Sequence, residues 1–212
     1  MVRKIVEVVP SEVLQQDLEK YRQRAIELGA TDAKIITTDV VVIDDRVRAK
    51  CTYPKCEWFG TNANCPPYAM ELEQTRKLAN AFRYAIFFKL NVPTETVAGK
   101  RTPEQLKQDR QFAKTRSEIV AKVESEAFYD GYYLAVGFGS GSCKRLFCPD
   151  EDCRALNPGQ GCKFPQTSRS SMEAVGMDVY LMATKVGWDI YPIGMAPSDA
   201  PHGTTAGIVF IY

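Results

Sequence analysis

The chain has 212 residues, 45% of them hydrophobic, and balances 27 basic against 26 acidic residues for a formal net charge of +1. That composition supports a soluble globular core and gives no overall charge to draw the molecule to nucleic acid or anionic lipid. No apolar run approaches the roughly 18 residues of a membrane span; stretches such as Tyr84–Phe88 are strand-sized.

In chain order the pattern is α/β. Met1–Pro10 carries a basic pair but no long apolar core with a cleavage site, so no export signal is visible and a cytoplasmic location is expected. Residues 11–28 read as a helix, with Leu14, Leu18, Tyr21 and Ile26 near helical spacing and Gly29 as the stop. Residues 33–43 are rich in β-branched side chains and read as extended. A Cys loop follows, then a helix over 71–82 and a buried strand over 84–90. Thr102 and Pro103 open a helix that runs to about Tyr129, and Gly131 ends it. Residues 132–137 read as a strand leading into a second Cys loop. Ser170-x-x-Glu173 predicts a capping box opening a helix through Met182 to about Val186, and 188–193 and 207–212 read as strands.

Each half thus runs strand, Cys loop, helix, strand. The expected fold is a single α/β domain over 1–212, an open sheet with flanking helices. Half-units of about 30–92 and 130–212, joined by the helix of about 103–129, suggest an internal duplication. In a β-loop-α-β unit the loop leaves the strand's carboxyl end, so the duplication predicts both Cys loops on one edge of the sheet.

Six of the seven cysteines form two triads of identical spacing, Cys51-x4-Cys56-x8-Cys65 and Cys148-x4-Cys153-x8-Cys162, at a constant offset of 97 (148 − 51). The seventh, Cys143, precedes the second triad by the same four-residue gap. In a reducing compartment, and with an odd count, such thiols are read as metal ligands in preference to disulfides. Structural zinc favours closer pairs and four ligands per ion, whereas iron–sulfur clusters tolerate wider gaps. Cys-Pro, at Cys65-Pro66 and Cys148-Pro149, resembles the proline that follows a cluster cysteine. The spacing therefore favours iron–sulfur clusters, two of the [4Fe-4S] type, with zinc as the alternative. Contiguity groups Cys143, Cys148, Cys153 and Cys162 as a four-thiolate site and Cys51, Cys56 and Cys65 as a three-thiolate site. The duplication leaves open that Cys143 crosses to the first triad.

Around the cysteines, Gly137-x-Gly139-x-Gly141 offers bare backbone that can approach a cluster, or forms a plain tight turn. Glu173 and Asp178 are candidates to stand beside the metal, although the capping box already accounts for Glu173. Tyr53, Trp58, Tyr68, Phe147 and Phe164 flank the thiols and are expected to wall the metal from water. His202, the lone histidine, reads as a loop bystander or a noncysteine ligand.

Three blocks then agree in order with one family: Cys51-x4-Cys56-x8-Cys65-Pro66-Pro67, Gly141-Ser-Cys143-Lys, and Ser171-Met-Glu-Ala-x-Gly176-Met-Asp178-Val179. Over most of its length the chain resembles the bacterial and archaeal family of predicted metal-binding proteins, domain of unknown function 2284. It departs at Arg169-Ser170, where Pro-Ser is expected. The resemblance implies metal binding and supplies no established reaction. The sequence reading is of an iron–sulfur protein of redox or electron-transfer function, served by a redox partner protein, with self-association into a homo-oligomer compatible. Two alternatives stand beside it. One is an enzyme whose three-Cys cluster keeps an iron open to a small anionic ligand, and the other a zinc-binding structural or regulatory module.

Overall fold

The computed structural model of the chain describes residues 2–194 and 200–212. Helix α1 (Ser11–Glu27) buries Leu14, Leu18, Tyr21 and Ala25 on one face, and Gly29, at φ 110°, turns the chain into strand β1 (Asp32–Thr37). The strand is shorter than the expected extended run. A 3-10 turn at Thr38–Val40 ends it, and only Ile43 returns to extended pairing, as a bridge to Met177. Helix α2 (Asp45–Thr52) follows, then the Cys loop, α3 (Leu72–Asn80) and strand β2 (Tyr84–Val92). After a short α4 (Thr94–Val97), α5 (Pro103–Tyr129) begins on Thr102, whose hydroxyl accepts from Gln105 N while the Gln105 side chain accepts from Thr102 N. The second half comprises β3 (Val136–Phe138), α6 (Cys143–Phe147), α7 (Val179–Lys185) and β4 (Gly203–Phe210).

The four strands form one open sheet in the order β1-β2-β4-β3, and every pairing is antiparallel. Helices cover both faces, which is why β2 is buried almost throughout and reads as a continuous apolar run. Ile86, Phe88, Leu90 and Val209 point into a core with α1 and α5. Ala85, Phe87, Ile208 and Phe210 point the other way, against α3, α7 and the Met172–Met177 segment. A Cβ at Gly207 would lie 2.5 Å from the Phe88 ring and 3.0 Å from Val120, so glycine there lets α5 lie directly on the sheet.

Three expectations need correction. First, β1 pairs antiparallel with β2, and β4 antiparallel with both β2 and β3, so β1 and β3 run in opposite directions and their carboxyl ends point to opposite ends of the sheet. The Cys loops are not gathered by a shared strand edge. Second, the helix expected from Ser170 onward is split: Glu173–Val175 is a 3-10 turn, Gly176 takes φ 82°, and α7 starts only at Val179 with Asp178 as its cap. Ser171, not Ser170, holds the turn, its Oγ accepting from Ala174 N at 3.0 Å. Gly176 wins over the capping box because the backbone from Gly176 to Asp178 pairs with the segment before α2. Third, 188–193 forms no strand; Trp188 instead packs on Phe87, with ring centroids 4.8 Å apart, and donates to Asp32 Oδ2 at 2.6 Å. Among the described residues no helix is long and apolar enough to cross a membrane.

Candidate metal centre

Cys51 sits in the last turn of α2, and the segment before that helix is clamped to the Gly176 turn. Asp44 N donates to Gly176 O at 2.8 Å, Asp178 N to Val42 O at 2.9 Å, and Ile43 bridges Met177. Asp44 then caps α2 by accepting from Arg46 N at 2.8 Å. From there the first loop is a chain of tight turns: Cys56 N donates to Cys51 O, Phe59 N to Cys56 O and Cys65 N to Asn62 O, at 3.0, 3.0 and 3.3 Å. Cys65 itself is buried.

Asn62 and Asn64 join this loop to the second one. Asn62 is fully buried; its amide donates to Ser142 Oγ at 3.2 Å and its Oδ1 accepts from Cys143 Sγ at 3.4 Å. Asn64 donates to Cys143 Sγ at 3.3 Å and to Ser168 Oγ at 2.7 Å. Cys65 Sγ reaches Ser142 Oγ at 3.6 Å. Cys143, at the start of α6, thus rests on the turn that presents Cys65. Sequence reasoning passed over Asn62, Asn64 and Ser142; the available signal was two amides and a hydroxyl directly beside thiols in loops that have little else to satisfy them.

The electrostatics sort the thiols. Burial pushes the Cys51 thiol up, and the neighbouring Cys56 and Cys65, then Glu173, push it further. Cys65 is raised by burial, which hydrogen bonds with Asn62 and Ser142 partly offset, and then by Cys143 and Cys56. Cys148 is raised by burial and then by Cys143, Cys153 and Cys162. One group is therefore Cys51, Cys56 and Cys65, the other Cys148, Cys153 and Cys162, and Cys143 acts on members of both. Among the described residues no three His, Cys, Asp or Glu side chains converge tightly enough to grip a single ion.

The remaining candidates divide. Glu173 borders a cavity of about 710 Å³ together with Cys51 and Cys56. Its Oε1 accepts from Ser140 Oγ at 3.4 Å, and its Oε2 is buried without a partner among the described residues. Asp178 is spent as the cap of α7, accepting from Leu181 N at 3.0 Å. His202 lies against Tyr191, Gly203 and Thr204, and no thiol is among its contacts. Phe147 and Phe164 stack at 5.3 Å over the second loop, whereas Tyr53 and Tyr68, 86% and 56% exposed, are too open to wall anything from water. Gly137 also serves packing: a Cβ there would meet Val120 at 2.4 Å, and its N–H donates to Glu124 Oε2 at 2.7 Å.

No curated protein matches the chain. One solved structure, described as a reductive dehalogenase structure that suggests a mechanism for B12-dependent dehalogenation, is similar over 99% of this chain and 21% of its own, at 16% identity and a TM-score of 0.38. This chain therefore spans about a fifth of that protein's length, and the likeness is too loose to place the fold. The family model described as "Predicted metal-binding protein (DUF2284)" matches residues 34–211, a span that takes in all seven cysteines and both sides of the Asn62–Ser142 seam. The chain belongs to this family of predicted metal-binding proteins.

Proposed function

We propose that this chain is a cytoplasmic iron–sulfur protein that holds two clusters and passes electrons to or from a partner protein. The observation that carries the reading is the gathering of seven thiols into two groups that meet at Cys143. A mononuclear zinc site needs its ligand atoms about 2.0–2.3 Å from one point. A four-iron cluster spreads its thiolates around a larger body, and the donor set, soft sulfur throughout with amide and hydroxyl donors beside it, fits such a cluster. Asn64, which donates to Cys143 Sγ, and Phe164 N, which donates to Cys162 Sγ at 3.3 Å, are placed to stabilise thiolate charge. When bound, the clusters would supply one-electron couples; the protein's own part is to orient the thiolates, exclude water through the stacked Phe147 and Phe164, and hold the two sites across one polar seam.

We group Cys143 with Cys148, Cys153 and Cys162, leaving Cys51, Cys56 and Cys65 as a three-thiolate site. The large cavity beside Cys51 and Cys56 supports a second reading, an enzyme that binds a small anionic ligand at an iron which no cysteine holds. The matching order of elements, β1, Cys loop, α3, β2 and β3, Cys loop, α7, β4, supports an internal duplication within one domain. Anaerobic purification followed by iron, zinc and acid-labile sulfide analysis and electron paramagnetic resonance tests the assignment. Iron with sulfide at near-equal amounts is expected. Zinc without sulfide would overturn the cluster reading in favour of a zinc module.

A further inference from the structure

Arg116 crosses from α5 towards the turn that follows β3. It is 7% exposed, and its guanidinium donates to two neutral acceptors, Thr205 Oγ1 and the Ser140 carbonyl. Among the described residues no carboxylate forms an ion pair with it, although Glu173 and Asp109 both act on it from a distance. Desolvation pushes its pKa down to about 10, which leaves the side chain charged at neutral pH. A buried cation without an adjacent anion is costly, and it persists where a negative charge is supplied from elsewhere.

The surroundings add positive charge. Asp109 is shared between Arg101 at 2.7 Å and Arg145 at 2.6 Å, and Arg110 donates to the Leu146 carbonyl at 3.2 Å. The guanidiniums of Arg101 and Arg145 thus share Asp109, which also acts on Arg116 together with Glu173, and Arg110 lines the same cavity. Arg116 and Arg145 flank Gly141, since a Cβ there would be 3.9 Å from an Nη2 of each. Between α5 and this turn lies a cavity of about 200 Å³ whose lining mixes polar groups, Asp109 and Ser117 among them, with apolar Leu106 and Ala113 from α5 and Leu146 and Phe147 from α6. One thiol, Cys143, opens onto it, and among the described residues no other cysteine lines it.

We propose that this cavity binds a small organic anion, its oxyanion head on Arg116 and Arg145 and its apolar body against Leu106, Ala113 and Phe147. Paired guanidiniums are the usual receptors for carboxylate and phosphoryl groups, because their planar donors match two oxygens at once. The site shares Ser140 with the cavity beside Cys51, but its anion would rest on Arg116 and Arg145 and not on the thiols.

Isothermal titration of the protein as purified, with phenyl phosphate, benzoate and inorganic phosphate as probes, tests the site. Phenyl phosphate or benzoate should bind with a dissociation constant below about 1 mM, and the tighter of the two identifies the head group. Inorganic phosphate, lacking the apolar body, should bind at least about tenfold more weakly. Arg116→Gln and Arg145→Gln should each weaken the better probe by about tenfold or more, while Arg22→Gln, on a remote face of α1, should not. Arg145 lies on the surface helix α6, so its variant keeps the test valid should Arg116→Gln fail to fold. Absence of binding by both organic probes, or equal binding by wild type and Arg145→Gln, overturns the proposal. So does a change in metal content or reduction potential in these variants with no probe bound, which would assign the arginines to balancing cluster charge.

Discussion

The two Cys loops have the same spacing and very different support. The first is set into the fold: Asn62, Cys65, Pro66 and Ala69 are buried, and the clamp between 42–44 and 176–178 fixes the helix that carries Cys51. The second, from Gly141 to Ser170, has no buried residue at all; its ends are anchored by Arg145 on Asp109 and Arg169 on Glu124, but over 148–163 its bonds are short turns, an Arg154–Gln160 contact and a surface Lys163–Glu151 pair at 2.8 Å, under the Phe147–Phe164 stack. Identical ligand spacing therefore does not imply identical reliance on metal. Where packing already fixes the thiols, metal adds affinity; where it does not, metal binding free energy is folding free energy.

The largest test of that contrast is to remove the metal. Anaerobic chelation should open amides 148–163 to hydrogen exchange by orders of magnitude, while those of 61–69 keep most of their protection. Mass-spectrometric exchange on stripped and loaded protein measures both at once, and equal loss in the two loops would break the comparison. Cys153→Ala should then cost more soluble yield than Cys56→Ala, since each removes one thiol but only 148–163 lacks side-chain bonds to the rest of the described residues.

Glycine substitutions read the same difference without touching a ligand. Gly176 has φ 82°, and a Cβ there would meet Leu72 at 2.4 Å and Asp44 O at 3.4 Å. Gly159 has φ 74°, and a Cβ there would meet none of the described residues beyond its chain neighbours within 4 Å. Both alanine variants incur left-handed backbone strain of about 1–2 kcal/mol, but only Gly176→Ala adds overpacking of about 1–3 kcal/mol. Thermal unfolding should show Gly176→Ala clearly less stable than Gly159→Ala, and similar losses would show that the clamp carries little.

Most of the fold was legible in the sequence, and the reasons are local. Helices α1 and α5 have caps, stops and periodic apolar faces, so α5 falls on Pro103–Tyr129 as expected. Strand direction was not legible, because nothing in β1 or β3 records which neighbour it pairs with. The break at Gly176 was missed for a related reason: the capping-box pattern is local, whereas the pairing of 42–44 with 176–178 that opposes it spans more than 130 residues. The cysteines announced the candidate site, but the amides and arginines around it did not, since Asn62 and Arg116 acquire their meaning only from the elements packed against them.

A smaller effect should come from the stack over the second loop. Phe164→Ala removes a ring pair at 5.3 Å and opens the thiols of the second loop to water. The loss should be about 1–1.5 kcal/mol in the loaded protein, accompanied by faster loss of metal to chelator. In the stripped protein the same substitution should cost almost nothing, because the loop that presents Phe164 is no longer ordered. A cost that persists after stripping would mean that the second loop, like the first, is held by packing.

The smallest effect provides a reference region that contains no thiol. Asp130, at the end of α5, accepts from Lys20 and, at 2.7 Å, from the Tyr21 hydroxyl of α1. Burial alone would raise its pKa, but the hydrogen bonds from Lys20 and Tyr21 outweigh it and hold the carboxyl below its ordinary value. A depressed folded pKa gives stability that is present above the unfolded value, near 3.9 for an aspartate, and is lost as pH falls through the folded one. Asp130→Asn keeps an acceptor for Tyr21 and loses the charge, so it should cost about 0.5–1 kcal/mol at pH 7. The difference from wild type should close below pH 3.9. Asp130 is bonded to Lys20 and Tyr21 and to no thiol, so its effect should be the same in loaded and stripped protein, measured as denaturant midpoints across pH. If Asp130→Asn instead shifts the pH of metal release, the α1–α5 layer is coupled to the loops, and the contrast between them cannot be assigned to local packing alone.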